Sequence, residues 1–167
     1  MQKNRLYIAY GSNLNLPQMA HRCPTAKVVG ASEVKGYELL FRGGRHGAVA
    51  TIEPKEDSSV PVLLWKIRPQ DEVALDRYEG YPSFYRKEMM EVELHGKPVG
   101  AMVYVMNDGR EFGAPSDYYL GVIAEGYESA GFDTEFLDAA VEKSIGLAQE
   151  QQAQEDAQRS LWEQKWW

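Results

Sequence analysis

The stretch Leu6-Tyr7-Ile8-Ala9-Tyr10-Gly11-Ser12-Asn13-Leu14 changes character in its middle, and that change restricts the chain more than any other feature. Leu6 to Tyr10 is an unbroken apolar and aromatic run between Lys3-Asn4-Arg5 and a turn, the pattern of a strand buried on both faces and so of a strand central in a sheet. Gly11-Ser12-Asn13 stops it with one residue that tolerates positive φ and two short side chains that bond readily to nearby backbone. Such a loop, at the exit of a buried strand and before a short helical segment (Pro17 to Arg22), can turn several backbone N–H groups toward one point and cradle an anion or a carbonyl oxygen. An ordinary strand-to-helix turn has the same composition, and these residues alone admit both readings.

Leu16 to Pro24 reads as a short helical turn opened by Pro17 and closed before Pro24. His21 and Cys23 lie in it without a second cysteine or histidine at ligand spacing, so no metal site is expected and Cys23 is read as a buried or half-buried thiol. Lys27 to Ile52 is read as a succession of short strands punctuated by glycines at 30, 36, 43, 44 and 47, with Gly43-Gly44-Arg45-His46-Gly47 as a hairpin loop rather than a phosphate loop, since it lacks the Lys-Ser/Thr pair and precedes a strand. Glu53 to Ser59 is expected to be a polar loop and Val60 to Ile67 a strand.

Pro69 to Tyr78 carries a proline and acidic residues in its first turn, a helical pattern ended by Gly80. Glu79 stands at that end, ahead of the aromatic turn Tyr81-Pro82-Ser83-Phe84-Tyr85. The partial negative charge of a helix C-terminus and water-excluding aromatic neighbours both favour a carboxyl group that takes up a proton. A surface ion pair with Arg77 or Arg86 accounts for the same local pattern. Glu88 to Leu94 and Val99 to Met106 read as a hairpin around His95-Gly96-Lys97-Pro98. Ser116 caps a helix with Leu120, Ile123, Ala124 and Tyr127 on one face, ended by Gly131. Asp133 or Thr134 caps a last helix with Leu137, Ala140, Val141 and Ala148 inward. These readings give one domain over residues 1–148 and a polar, tryptophan-ended tail over 149–167.

The chain's 167 residues suffice for one core, and a single cysteine forbids an intrachain disulfide. With 18 Lys+Arg against 25 Asp+Glu, the net charge of −7 argues against nucleic acid as a partner. No leader pattern and no apolar run near the ~18 residues of a membrane span are visible, so a cytoplasmic protein without membrane partners is expected.

Tyr10-Gly11-Ser12-Asn13-Leu14 with Arg22-Cys23-Pro24, then Leu75-Asp76-Arg77-Tyr78-Glu79-Gly80-Tyr81-Pro82 with Tyr85-Arg86, then Pro115-Ser116 and Tyr119-Leu120 leading to Gly126 and Gly131, together resemble the γ-glutamylcyclotransferase superfamily. The resemblance implies an α+β fold, a small mixed β-barrel with flanking helices, and a pocket built on the YGSN loop with Glu79 as acid/base. It implies a cofactor-free reaction on a small-molecule γ-glutamyl substrate: the α-amine attacks the γ-carbonyl, closes 5-oxoproline and expels an amine. By the matched motifs Tyr10, Gly11, Ser12, Asn13, Leu14 and Tyr119 are the expected substrate-binding residues, with loop amides on either the α-carboxylate or the oxyanion. Ser12 as a nucleophile lacks a placed His/Asp pair. A non-catalytic binding or regulatory protein on the same scaffold is the alternative, and the tryptophans of the tail could dock on the body, dock on a second subunit of a homodimer or end as a frayed terminus.

Overall fold

β1 (Arg5–Ala9) occupies the middle of the sheet, the position an apolar run needs if both of its faces are to be covered. The structure is a computed structural model and describes residues 3–44 and 47–166. The remaining strands are β2 (Lys27–Gly44), β3 (Gly47–Ile67), β4 (Tyr85–Leu94) and β5 (Lys97–Met106), joined in the order β2-β3-β1-β5-β4. β1 runs antiparallel to β3 and parallel to β5, so the sheet is mixed. The helices are α1 (Leu16–Arg22), α2 (Pro69–Glu79), α3 (Asp117–Ala130) and α4 (Thr134–Trp166), with a single 3-10 turn over Ser12–Leu14. Among the described residues no helix is long and apolar enough to cross a membrane.

The glycine-punctuated region is not a set of short strands. β2 and β3 pair along nearly their whole lengths, and the register shifts lie between Val28 and Gly30 and between Lys35 and Tyr37. Gly30 and Gly36 therefore mark irregularities inside one long strand; Gly36, at φ 80, takes a conformation that most residues avoid. At the second shift Lys35 pairs with Ser59 and Tyr37 with Pro54, so Gly36 alone faces residues 55–58. The polar segment read as a loop is thus an outward excursion within β3, with Asp57 in the left-handed region at φ 62. Gly44 pairs with Gly47; Arg45 and His46, at the tip of the expected hairpin loop, lie outside the described residues.

The expected barrel is an open one. β2 and β4 end the sheet without pairing, but the sheet curls far enough for Ser32 Oγ to donate to the Glu93 carbonyl, and a Cβ at Gly30 would lie 2.8 Å from Leu94 Cδ1. Side chains rather than a closed ladder join the two edges. Inside the curl Ile8, Phe41, Ile52, Leu64, Met102 and Ile123 are fully buried. α4 docks through Leu137 and Ala140, and Ser144 Oγ accepts from the Phe41 amide at 2.9 Å. Beyond residue 151 α4 continues exposed, so the polar tail is an extension of that helix; Trp162 and Trp166 stack with ring centres 6.1 Å apart.

The site is positioned by two close approaches. A Cβ at Gly126 of α3 would lie 2.7 Å from the Leu14 carbonyl carbon, so only glycine lets α3 press this closely on the 3-10 turn. Asn15 caps α1 by accepting from the Gln18 amide at 3.0 Å, and its Nδ2 donates to the Val122 carbonyl of α3 at 3.0 Å. The loop after β1 is thereby clamped between α1 and α3.

Candidate active site

A cavity of about 420 Å³ opens where the loop after β1 meets the C-terminal end of α2. Tyr10, Gly11, Ser12, Asn13, Glu79 and Tyr119, all expected from the sequence, line it. Leu14 does not line it: the side chain is fully buried, and its amide donates to the Gly11 carbonyl at 3.0 Å. The Asn15 amide likewise closes onto Ser12. The expected amide cradle of Gly11 to Leu14 is therefore shorter by one residue, because a 3-10 turn consumes its own last amides. The N–H groups of Gly11, Ser12 and Asn13 are left without an internal partner among the described residues.

Gly11 is needed for proximity rather than for positive φ. Its φ is −124°, and an added Cβ would lie 3.2 Å from Ala50 Cβ and 3.6 Å from the Tyr119 hydroxyl. Ala50 of β3 organises this wall with its backbone: its amide donates to the Tyr119 hydroxyl at 3.0 Å and its carbonyl accepts from the Tyr85 hydroxyl at 2.6 Å. Tyr10 donates to the Tyr104 carbonyl at 2.6 Å. The hydrogens of Tyr85 and Tyr10 are thus committed to carbonyls, whereas Tyr119 accepts and keeps its own hydrogen to donate. Burial, reinforced by the Glu79 charge, raises the pKa of Tyr7 and Tyr10, and burial likewise raises that of Tyr85 and Tyr119, so these phenols are neutral.

α2 stops at Gly80, whose left-handed conformation (φ 66°, ψ 36°) lets the Tyr81 amide bond back to the Asp76 carbonyl at 2.9 Å. This termination leaves Glu79 as the last helical residue, half-buried and facing the loop. Glu79 Oε1 accepts from Asn13 Nδ2 at 3.4 Å, and Asn13 Nδ2 also donates to the Tyr7 hydroxyl at 2.8 Å. The surface pairing with Arg77 or Arg86 is not what the structure shows: Arg86 binds the Met106 carbonyl and Glu88, and the polar partner of Glu79 is Asn13. Burial pushes the Glu79 carboxyl up to about 7, with Arg22 opposing that rise. A carboxyl group so placed exchanges protons near neutrality.

Ser12 Oγ shares a hydrogen bond with the Tyr78 hydroxyl at 2.9 Å and has no histidine or aspartate partner among the described residues. Cys23 is buried beneath α2, and burial raises its thiol to about 11, which makes it a poor nucleophile. Among the described residues no three His, Cys, Asp or Glu side chains are grouped so that they could hold a metal ion. The sequence marks Tyr85 only as one of the water-excluding aromatics after Glu79, and it assigns no place in the site to Tyr7, Tyr78 or Ala50. Tyr78 reads there as part of a helix face and Tyr85 as part of the aromatic turn after it, and nothing local marks Ala50, which acts through its backbone.

A family profile for Gamma-glutamyl cyclotransferase, AIG2-like proteins matches residues 7–121, from β1 into α3. The chain belongs to this family. Among curated relatives, the Gamma-glutamylcyclotransferase of Homo sapiens is 27% identical over 146 residues, covering 82% of this chain and 77% of its own. That of Bos taurus is 29% identical over 140 residues, covering 78% and 74%. A solved Gamma-glutamyl cyclotransferase superposes with a TM-score of 0.75 at 25% identity, over 83% of this chain and 86% of that one. A yeast gamma-glutamyl cyclotransferase specific to glutathione shares the fold at a TM-score of 0.59 and 14% identity, over 88% and 97%. The family match takes in the loop, the end of α2 and Tyr119, and stops before α4.

Proposed function

We propose that this protein is a γ-glutamyl cyclotransferase in which Glu79 carries the protons. The observation that carries the reading is the half-buried Glu79 carboxyl, poised at about 7 and held by Asn13 in the wall of a cavity of about 420 Å³, a size suited to a small molecule. Family membership supports the substrate class: a γ-glutamyl amide or γ-glutamyl amino acid.

The reaction requires the substrate to fold on itself. Its α-ammonium gives a proton to Glu79, and the freed amine attacks the γ-carbonyl carbon; a C–N bond forms and the carbonyl electrons move onto oxygen. Collapse of that intermediate restores the carbonyl and breaks the bond to the leaving nitrogen. The attacking nitrogen loses two protons in all and the leaving nitrogen gains two, and Glu79 relays them in turn. The products are 5-oxoproline and an amine. Holding the reactive rotamer is worth several kcal/mol, and proton relay roughly 10²–10⁴-fold.

The rest of the wall has matching tasks. The N–H groups of Gly11, Ser12 and Asn13 offer donors to the substrate's anionic oxygens, the α-carboxylate or the developing oxyanion. Tyr119, with its hydrogen uncommitted, offers one more donor; Tyr10 shapes the wall. Incubation of the purified protein with a panel of γ-glutamyl amino acids and amines, read by mass spectrometry, tests the reaction class. Cyclisation gives 5-oxoproline, whereas hydrolysis gives glutamate, and ligand binding with neither product would point to a non-catalytic member.

A further inference from the structure

We propose that Arg22 is the positioning residue of this site: its guanidinium fixes which way the Asn13 carboxamide faces, and so aims Glu79. The kinetic part of this proposal rests on the cyclotransferase reading; the geometric part does not. Arg22 lies behind Asn13, off the cavity wall. Its Nη1 donates to Asn13 Oδ1 and its Nη2 to Gln18 Oε1 at 3.1 Å, and its Cζ lies 3.4 Å from the centre of the Tyr78 ring.

A carboxamide has an acceptor end and a donor end. With Oδ1 turned to the guanidinium, Asn13 Nδ2 must face the opposite way, where it donates to Tyr7 and Glu79. Reversed, Asn13 would set its NH₂ group against a cation and its carbonyl oxygen against a carboxylate, exchanging attractions for repulsions at both ends. Arg22 also stacks on Tyr78, the residue next to Glu79, so one guanidinium joins α1, the loop and the end of α2. A lysine cannot reproduce this: its ammonium neither forks between two acceptors nor stacks flat on a ring.

The charge of Arg22 acts along the same line. Glu79 shares the cavity wall with Tyr10 and Ser12 of the loop and with Tyr78 and the exposed Arg77 of α2, and its charge reaches the buried hydroxyls of Tyr7 from β1, Tyr10, Tyr85 from β4 and Tyr119 from α3. The buried tyrosines are neutral, and Arg22 is the cation that favours the Glu79 carboxylate against burial.

The test titrates Glu79 by carbon-13 NMR in the wild type, Arg22→Met and Arg22→Lys, beside the pH profile of kcat/KM for 5-oxoproline release. In Arg22→Met the Glu79 midpoint and the acidic limb both move to higher pH, and kcat/KM at pH 7 falls about ten- to a hundredfold. A merely structural defect would let water reach Glu79 and lower its midpoint. Arg22→Lys keeps the charge and a midpoint near that of the wild type, yet loses rate because Asn13 is no longer held. An unmoved or lowered midpoint in Arg22→Met overturns the proposal. Should that variant not fold, wild-type turnover in Arg22→Lys overturns it and reduced turnover at an unchanged midpoint upholds it. The titration needs no substrate, so failure to release 5-oxoproline would refute the cyclotransferase reading and leave the midpoint to decide the geometry.

Discussion

Glu79 is a carboxyl group that is protonated more readily in the folded chain than in the unfolded one. A carboxyl raised to about 7 in the fold, against 4.5 for the ordinary group, favours the folded state below the lower value, and that contribution is lost as pH rises through the upper one. Glu79→Gln, neutral at every pH, should therefore be more stable than the wild type at pH 9 by roughly 1–3 kcal/mol, after allowance for the solvent that reaches the cavity. The difference should narrow by pH 5; urea unfolding at the two pH values checks it. For turnover the direction is opposite: a base must be ionised, so kcat/KM should fall on the acid side of a limb near pH 7. The position of Glu79 after a helix and before aromatic residues was legible in the sequence. Its bond to Asn13 was not, because the two lie 66 residues apart and meet only when α2 is packed.

At the scale of elements, the sequence revealed types more readily than lengths. The buried run at Leu6, the Pro69 and Ser116 helix starts and the left-handed stops at Gly80 and Gly131 all appear where local chemistry puts them. Gly30 and Gly36 misled, since a glycine that ends a strand and one that bends it have the same local composition. Gly126 shows the same limit: nothing near it announces that Leu14 will lie against it. Gly126→Ala puts a Cβ into the Leu14 backbone at 2.7 Å, and a helix facing backbone cannot yield as a side chain does. The variant should lose about 1–3 kcal/mol of stability and displace the loop, so that cyclisation falls at temperatures where the protein remains folded. Thermal melting and the initial rate, measured together, check both effects.

At the scale of the whole molecule, the cavity sits where the central strand, the loop after it and the end of α2 converge, and α3 and β3 close its wall. The projecting part of α4 takes no part in this arrangement. Removing residue 152 and everything after it should leave the rate of cyclisation unchanged and shift Tm by only a degree or two, because residues 152–166 are all exposed and none belongs to the core. Whether Glu79 carries the protons of an intramolecular cyclisation is decided by the single-turnover rate of Glu79→Gln on the best γ-glutamyl substrate of the wild type. If it does, the variant keeps a fold and a substrate affinity close to those of the wild type, and its rate is lower by about 10²–10⁴-fold. A rate within a few-fold of the wild type, in a protein shown to be folded, would contradict that role.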